Sequence, residues 1–265
     1  KKAEELEREF GVKVMSYHVL EELLTNERLD AVSICTPPEM HENQVRICLE
    51  NNLHVLCEKP FVQTKNNYDT AESLFALAKR KGRVLTINTQ WASIVEYFQR
   101  LELLENLNEI YISMEPSAKG VDMLKDHLPH MNSVLIKLLA DGKAEDIHFK
   151  SLDESSVILR FKYNHPGRSL DVTYELKSRV TPPPKVVFSL NGESFHRNIS
   201  ANYSQSFVSD KRKFEIEDPL KVSVKRFMEA CSNSNTPLVE KREILENIAL
   251  SEQIMERYIL ASQSL

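Results

Sequence analysis

The sequence predicts an α/β fold in two successive parts, a parallel sheet with helices and then an open, mainly antiparallel sheet with helices. Two observations predict it. Up to about residue 100, short apolar runs alternate with segments that carry apolar residues at helical spacing. Beyond that point, segments in which apolar and polar residues alternate predominate. We therefore expect two domains, residues 1–100 and residues 101–265.

The first part is expected to run helix, helix, strand, helix, strand, helix, strand. The predicted elements are helices at 2–10 (closed by Gly11) and 19–24, a strand at 31–35, a helix from about 39, a strand at 54–57, a helix at 67–80 and a strand at 84–87. Short connections of this kind give parallel strands through right-handed crossovers. The carboxyl ends of the three strands should therefore share one edge of the sheet.

Polar residues follow each of these predicted strands. They are Thr36 with Pro37, Glu58 with Lys59, and Asn88 with Gln90. Open α/β sheets bind ligands outside the carboxyl ends of their strands. We expect these side chains to meet at a ligand site.

The second part is expected to form the antiparallel sheet. Alternating segments are centred on residues 110–114, 157–161, 170–176, 186–190 and 195–199, and Asn191-Gly192 is a hairpin signal between the last two. A helix is predicted to begin at Pro129 and to end before Gly142. Two closing helices are expected at 219–232 and 241–262. No linker separates the two parts, so we expect them to share an interface.

Composition excludes several classes of function. The 34 basic and 39 acidic residues give a net charge of -5, which provides no footprint for nucleic acid or an anionic membrane. No apolar run approaches the roughly 20 residues needed to cross a bilayer, and the start resembles no signal peptide, so we expect a cytoplasmic protein. Four cysteines without CxxC spacing predict reduced, buried thiols rather than disulfides or zinc ligands.

Three motifs carry a family resemblance. Two of them, LDAVSICTPPEMH and HVLCEKP, end at predicted strand ends about twenty residues apart, and the third, DHLPH, follows much later. The match extends to the segment PLVEKREILENIALSEQIMERYILAS near the end of the chain. Together they resemble the Gfo/Idh/MocA oxidoreductases. The resemblance implies an amino-terminal Rossmann-like dinucleotide-binding domain, NAD or NADP as cofactor, and a carboxy-terminal domain for substrate binding and oligomerisation.

The resemblance also implies roles for individual residues. Lys59 would reach the nicotinamide ribose and the reacting carbon, which Asp126 and His130 would also face. The residues expected to line the cofactor are Thr36, Pro37, His41, Glu58, Lys59, Asn88 and Gln90. We interpret His130 as the acid/base, because a histidine pKa near 6.5 suits proton transfer near neutral pH. Its place in the first turn after Pro129 would disfavour the imidazolium through the helix dipole. Asp126, in an extended or turn segment, would orient that ring or bind a substrate hydroxyl.

One part of the family pattern is not present in this sequence. The family opens with a strand, a GxGxxG-type turn and a helix, whereas the six glycines here form no such loop. The Rossmann-like sheet is therefore expected to be truncated, with an amino-terminal segment of the natural protein missing and dinucleotide affinity reduced.

The expected function is hydride transfer between a nicotinamide and a sugar, nucleotide sugar, cyclitol or related small polar ketone or alcohol. The expected assembly is a homodimer or homotetramer formed through the carboxy-terminal sheet. The alternative is a non-catalytic ligand sensor or assembly protein that keeps the fold.

Simpler interpretations of single motifs remain open at this stage. Glu58-Lys59-Pro60 alone is typical of a solvated strand end, and His41 of the first turn of a helix. Gln90 and Trp91 are equally consistent with core packing and with lining a pocket. A metal cluster at Asp126, His127 and His130 is disfavoured, because no distant further ligand accompanies them.

Overall fold

The computed structural model describes residues 2–11, 13–102, 104–140, 142–179, 181–200, 202–233 and 235–263. Its first part contains α1 (Lys2–Phe10), α2 (Leu20–Asn26), β1 (Ala31–Ile34), α3 (His41–Glu50), β2 (His54–Cys57), α4 (Asn67–Lys81), β3 (Leu85–Ile87) and α5 (Ile94–Arg100). Strands β1, β2 and β3 form a parallel sheet in that order. The parallel α/β arrangement predicted from the sequence is confirmed.

The second part forms an eight-stranded sheet. Its elements are β4 (Glu109–Met114), α6 (Val121–Leu139), β5 (Lys143–Leu152), β6 (Ser156–His165), β7 (Arg168–Lys177), β8 (Val186–Leu190), β9 (Glu193–Ile199), β10 (Gln205–Val208), β11 (Lys213–Ile216), α7 (Pro219–Asn233) and α8 (Lys241–Ser262). The strand order is β11-β10-β9-β8-β4-β7-β6-β5. The β4–β7 pair is parallel and the other pairs are antiparallel, so the expected open, mainly antiparallel sheet is present.

Three strands of this sheet were not predicted. Strand β5 has two irregularities in its register with β6, and these interrupt the alternation of apolar and polar side chains. Strands β10 and β11 have four residues each, which is too short for a periodic pattern to stand out.

The prediction that a helix begins at Pro129 is wrong. Helix α6 begins at Val121, directly after Gly120 in a positive-φ conformation (φ 56°), and Pro129 lies inside it. The apolar stripe continues backwards through Met123, Leu124 and Leu128, all buried. Burial of this stripe outweighs the one amide hydrogen bond that proline removes.

Two clusters of buried apolar side chains hold the fold together. One lies between the large sheet and helices α5, α6 and α8, and the other surrounds the parallel sheet. Val239, just before α8, and Ile244, in its first turn, belong to the second cluster, whereas Leu250 and Ile254 further along α8 belong to the first. Helix α8 therefore packs in both clusters and connects the two sheets.

Within the part of the chain that the structure describes, no helix combines the length and the apolar character needed to cross a membrane.

Candidate active site

The carboxyl ends of the parallel strands bring two predicted site residues together. The amide of Glu58 donates to Ile34 O (2.8 Å), and the amide of Asn88 donates to Cys57 O (2.8 Å), so the ladder continues one step past each strand. Directly after the ends of β2 and β3, Asn88 Nδ2 donates to Glu58 Oε1 (2.5 Å). Asn88 Oδ1 and the neighbouring Thr89 Oγ1 are buried and accept no hydrogen bond from the described residues.

Lys59 projects from the end of β2 onto helix α6. Its Nζ donates to the main-chain oxygen of Asp126 (3.0 Å) and forms an ion pair with the carboxylate of the same residue. The Lys59 side chain is 15% exposed. Glu58 Oε2 accepts from the Lys59 amide (3.3 Å). Because Lys59 is largely buried and paired with a carboxylate, Glu58-Lys59-Pro60 is not the solvated strand end that these three residues alone suggest.

Asp126 and His130 lie one turn apart on α6, not in separate extended and helical segments as predicted. Residues at this spacing share a helix face, so both lie on the side of α6 that meets Lys59. His130 is 8% exposed, and its Nδ1 is buried without a hydrogen-bond partner among the described residues. An unpartnered buried ring nitrogen in such a place is typical of a site that a ligand completes.

His127 contributes a contact that was not predicted. Its Nδ1 lies 3.0 Å from Asp126 Oδ2, and its ring centroid is 6.1 Å from that of His130. The sequence interpretation considered His127 only as a surface residue or as one member of a disfavoured metal cluster. Helical spacing from 121 onward would have placed it beside Asp126.

The electrostatics of this group oppose protonation of His130. Burial, followed by the positive charges of Lys59 and His127, lowers the pKa of His130 to about 3, with Asp126 acting in the opposite direction. Burial also disfavours ionisation of Asp126, but the hydrogen bonds and charges of His127 and Lys59 hold its pKa well below the ordinary range. The neutral imidazole therefore results from burial and from the positive charge of Lys59. The helix dipole cannot be its cause, since His130 lies in the middle of α6.

His41 is placed differently from the other predicted cofactor-lining residues. Its side chain is fully buried, with Nδ1 2.9 Å from Pro60 O and Nε2 2.8 Å from Thr36 O. Thr36 Oγ1 donates to Gln44 Oε1 (2.6 Å), and Pro37 is exposed at the start of the 3-10 turn Pro38–Met40. Both ring nitrogens of His41 thus face the main chain.

The segment after β3 combines core and surface roles. Trp91 is buried against Phe188 and Phe207, with ring centroids 5.9 and 6.2 Å away, which favours core packing. The guanidinium of Arg197 lies over the indole at 5.1 Å. Gln90, which opens the 3-10 turn, is half-buried.

Helix α8 holds α6 in place through polar contacts that were also missed. Asn247 Nδ2 donates to Pro129 O (2.8 Å), and Asn132 Nδ2 donates to Ser251 Oγ (3.0 Å). The signal was present in the sequence, because Asn247 and Ser251 are polar residues four apart on an otherwise apolar helix face.

The cysteines are free, as expected, but not all are buried. Cys48 and Cys57 are buried, Cys231 is half-buried, and Cys35 is exposed. The expectation of burial was wrong for Cys35, because β1 ends at Ile34 and Cys35 begins the turn. Among the described residues, no group of three or more His, Cys, Asp and Glu side chains is arranged to hold a metal ion.

Comparison with known proteins gives a consistent result for the first part of the chain. Residues 1–89 match the family described as an oxidoreductase family with an NAD-binding Rossmann fold, Gfo/Idh/MocA. An uncharacterized oxidoreductase of Schizosaccharomyces pombe is 38% identical over 96 residues, which are 36% of this chain and 25% of that protein. The scyllo-inositol 2-dehydrogenase (NADP(+)) IolU of Bacillus subtilis is 35% identical over 80 residues, 29% of this chain and 24% of that protein. The aligned segments thus span about a quarter of each of these relatives.

Solved structures extend the likeness in fold to the whole chain. The UDP-N-acetylglucosamine 3-dehydrogenase GnnA from Acidithiobacillus ferrooxidans superposes with a TM-score of 0.70 at 18% identity, covering 96% of this chain and 85% of that one. At this identity the likeness shows the fold alone.

Proposed function

We propose that the protein is a member of the Gfo/Idh/MocA oxidoreductases and an NAD(P)-dependent dehydrogenase or reductase, because residues 1–89 match the model of that family. Its proposed substrate is a sugar, nucleotide sugar, cyclitol or related small polar ketone or alcohol. The name of one similar protein, an inositol dehydrogenase, supports this substrate class.

One observation carries the proposal. Lys59, at a strand end of the parallel sheet, pairs with Asp126, which lies one helical turn before the buried His130 on α6. The charge of Lys59 acts on the His130 ring, although the two residues come from distant parts of the chain. Oxidation of an alcohol to a ketone requires removal of a proton from oxygen as hydride leaves carbon. A neutral imidazole can accept that proton, and a fixed cation stabilises the negative charge that develops on the substrate oxygen.

The protein groups then have distinct tasks. We assign His130 as the group that accepts the hydroxyl proton of the substrate in oxidation and returns it in reduction. The ammonium of Lys59 would stabilise the negative charge that develops on the substrate oxygen. Asp126 would hold that ammonium in place through its carboxylate and main-chain oxygen. A bound nicotinamide would supply the hydride acceptor or donor.

The residues at the sheet edge fit a nicotinamide cofactor. Asn88 Oδ1 and Thr89 Oγ1 are buried polar atoms that the described residues leave without partners, at the edge where such sheets bind ligands. Amide and ribose hydroxyl groups would satisfy them. We propose Thr36, Pro37, Glu58, Asn88 and Gln90 as the residues that hold this cofactor, within a cofactor-binding domain spanning about residues 1–100.

We further propose that copies of the chain associate through the large sheet. In strand β7, buried residues such as Val172 and Tyr174 alternate with outward residues such as Asp171 and Glu175. The helices therefore cover one face of the large sheet and leave its other face uncovered. A second copy would cover that face with its own. Light scattering coupled to size-exclusion chromatography tests this, because a monomer mass of 30.6 kDa would contradict it.

The proposed activity is tested by the absorbance of reduced nicotinamide, with NAD and NADP each offered together with a panel of polyols, sugars and their ketones. Substrate-dependent reduction of either cofactor is the expected result. Saturable binding of a polyol by calorimetry without any turnover would instead favour the non-catalytic sensor.

A further inference from the structure

His41 occupies an unusual position between two loops. It is the first residue of α3, its side chain is fully buried, and its two ring nitrogens face the carbonyl oxygens of Pro60 and Thr36 at 2.9 and 2.8 Å. Pro60 directly follows Lys59, and Thr36 lies in the loop after β1. A single side chain therefore contacts the loops that leave two neighbouring strands.

Prolines explain why a side chain is needed there. The ladder between β1 and β2 ends with the Glu58 amide bonded to Ile34 O (2.8 Å). Beyond it, Pro37, Pro38 and Pro60 carry no amide hydrogen, so these positions cannot donate main-chain hydrogen bonds that would join the loops. The imidazole of His41 supplies a donor at the point where the main chain has none.

We infer that His41 is a positioning residue for Lys59, acting through its contact with the carbonyl of Pro60. This inference rests on the proposed function, since Lys59 is the residue being positioned. A ring nitrogen donates only when it carries a hydrogen, so the contact with Pro60 O is a hydrogen bond in the form in which Nδ1 carries one. This contact lies next to Lys59 in the chain, whereas Nε2 faces Thr36 O in the loop after β1.

The contact has a mechanical consequence at the site. With Pro60 O anchored, the main chain on the carboxyl side of Lys59 is fixed, while Glu58 Oε2 accepts from the Lys59 amide on the other side (3.3 Å). The ammonium is then directed onto Asp126. Misplacement of a catalytic group by about 1 Å lowers a rate by as much as about 100-fold.

Two conservative variants separate the contacts. In His41→Asn the amide nitrogen lies close to the position of Nδ1 and can still donate to Pro60 O. In His41→Gln it lies close to the position of Nε2 and can donate only to Thr36 O. Both variants shorten or reshape a buried side chain, so each serves as the control for loss of packing in the other.

The expected result is an asymmetry between the two variants. His41→Asn should keep kcat within a few-fold of the parent, whereas His41→Gln should lower kcat about 10-fold to 100-fold with little change in KM for the nicotinamide. An equal loss in both variants, including equal loss of the folded state, would overturn the inference. So would an unchanged kcat in His41→Gln.

A second measurement does not depend on turnover. The rate at which an amine-acylating reagent modifies Lys59, followed by peptide mass spectrometry, should rise in His41→Gln and stay near the parent rate in His41→Asn. If this asymmetry is found in a protein that shows no oxidoreductase activity, the proposed function fails and the positioning role stands. If turnover is present but the two variants label alike, the positioning role fails.

Discussion

Lys59 and Asp126 are 67 positions apart in the chain, yet the ammonium of Lys59 contacts both the carboxylate and the main-chain oxygen of Asp126, the latter at 3.0 Å. This pair joins the edge of the parallel sheet to the helix that carries His130. In the proposed function, this pair sets the position of the positive charge that would face a substrate oxygen.

Replacing Lys59 by Met should lower kcat by about 100-fold to 1,000-fold, because the charge that we propose stabilises the developing alkoxide is lost. Asp126→Asn should lower kcat less, by about 10-fold, because the main-chain oxygen of residue 126 still accepts a hydrogen bond from Lys59. The double variant should be no worse than Lys59→Met alone, because the two residues act as a unit. Initial rates of nicotinamide reduction measure all three. The exposed Lys65→Met is the matched control, and additive losses would contradict the coupling.

Replacing His130 by Gln should lower kcat by about 100-fold to 10,000-fold, since the variant retains a polar side chain but cannot accept the substrate proton near neutral pH. The exposed His196→Gln serves as the control. Circular dichroism would establish that both variants are folded. Full turnover in folded His130→Gln would remove His130 from the acid/base role.

The depressed pKa of His130 should also make stability depend on pH. In the unfolded chain His130 takes up a proton near pH 6.5, whereas in the folded protein it does so only near about 3. Between these values the unfolded state binds more protons, so the free energy of unfolding falls as the pH is lowered from 6.5 towards 3. Asp126, whose pKa is also depressed, adds a loss of stability that begins only near its ordinary pKa of 3.8 and below.

Comparison of the parent with His130→Gln by urea unfolding between pH 6.5 and 4.5 isolates His130, because His54, whose pKa burial also lowers, is present in both proteins. The parent should lose more stability across this window than His130→Gln. Parallel slopes for the two proteins would show that His130 is not buried in its neutral form.

Thr86→Val should destabilise the protein by about 1–3 kcal/mol, because it removes the hydroxyl that donates to Val239 O (2.7 Å) in a buried environment. This bond connects β3 to the segment before α8. Thr86→Ser keeps the hydroxyl and is the matched variant. Urea titrations of both separate loss of the hydroxyl in Thr86→Val from loss of the methyl in Thr86→Ser, and a Thr86→Val protein as stable as the parent would contradict the contribution of the hydrogen bond.

The four cysteines should differ in reactivity. Cys35 is exposed and should react first with a chromogenic disulfide reagent. Burial raises the pKa of Cys48 to about 11, and burial followed by the charge of Glu58 raises the pKa of Cys57, so both should react only on unfolding. Cys35→Ser should remove the fast phase. A persisting fast phase would show that another thiol is accessible.

The alternation of apolar runs and helical spacing was sufficient to predict the parallel strands. Strands such as β2 are buried on both faces, so an uninterrupted apolar run identifies them whatever packs around them. The strand-end position of Glu58, Lys59 and Asn88 follows from that local pattern. The start of α6 was mispredicted because proline is far more common at the first helical position than inside a helix.

Contacts between segments that are distant in the chain could not be predicted from these local sequence patterns. The sequence determined by itself where Lys59 leaves its strand and that Asp126 and His130 are close in the chain, because these are consequences of local periodicity. Only the tertiary structure decided that they meet, that His130 is neutral through burial, and that His41 faces two carbonyl oxygens. Burial and long-range charge depend on which surfaces pack together, and no local pattern contains that information.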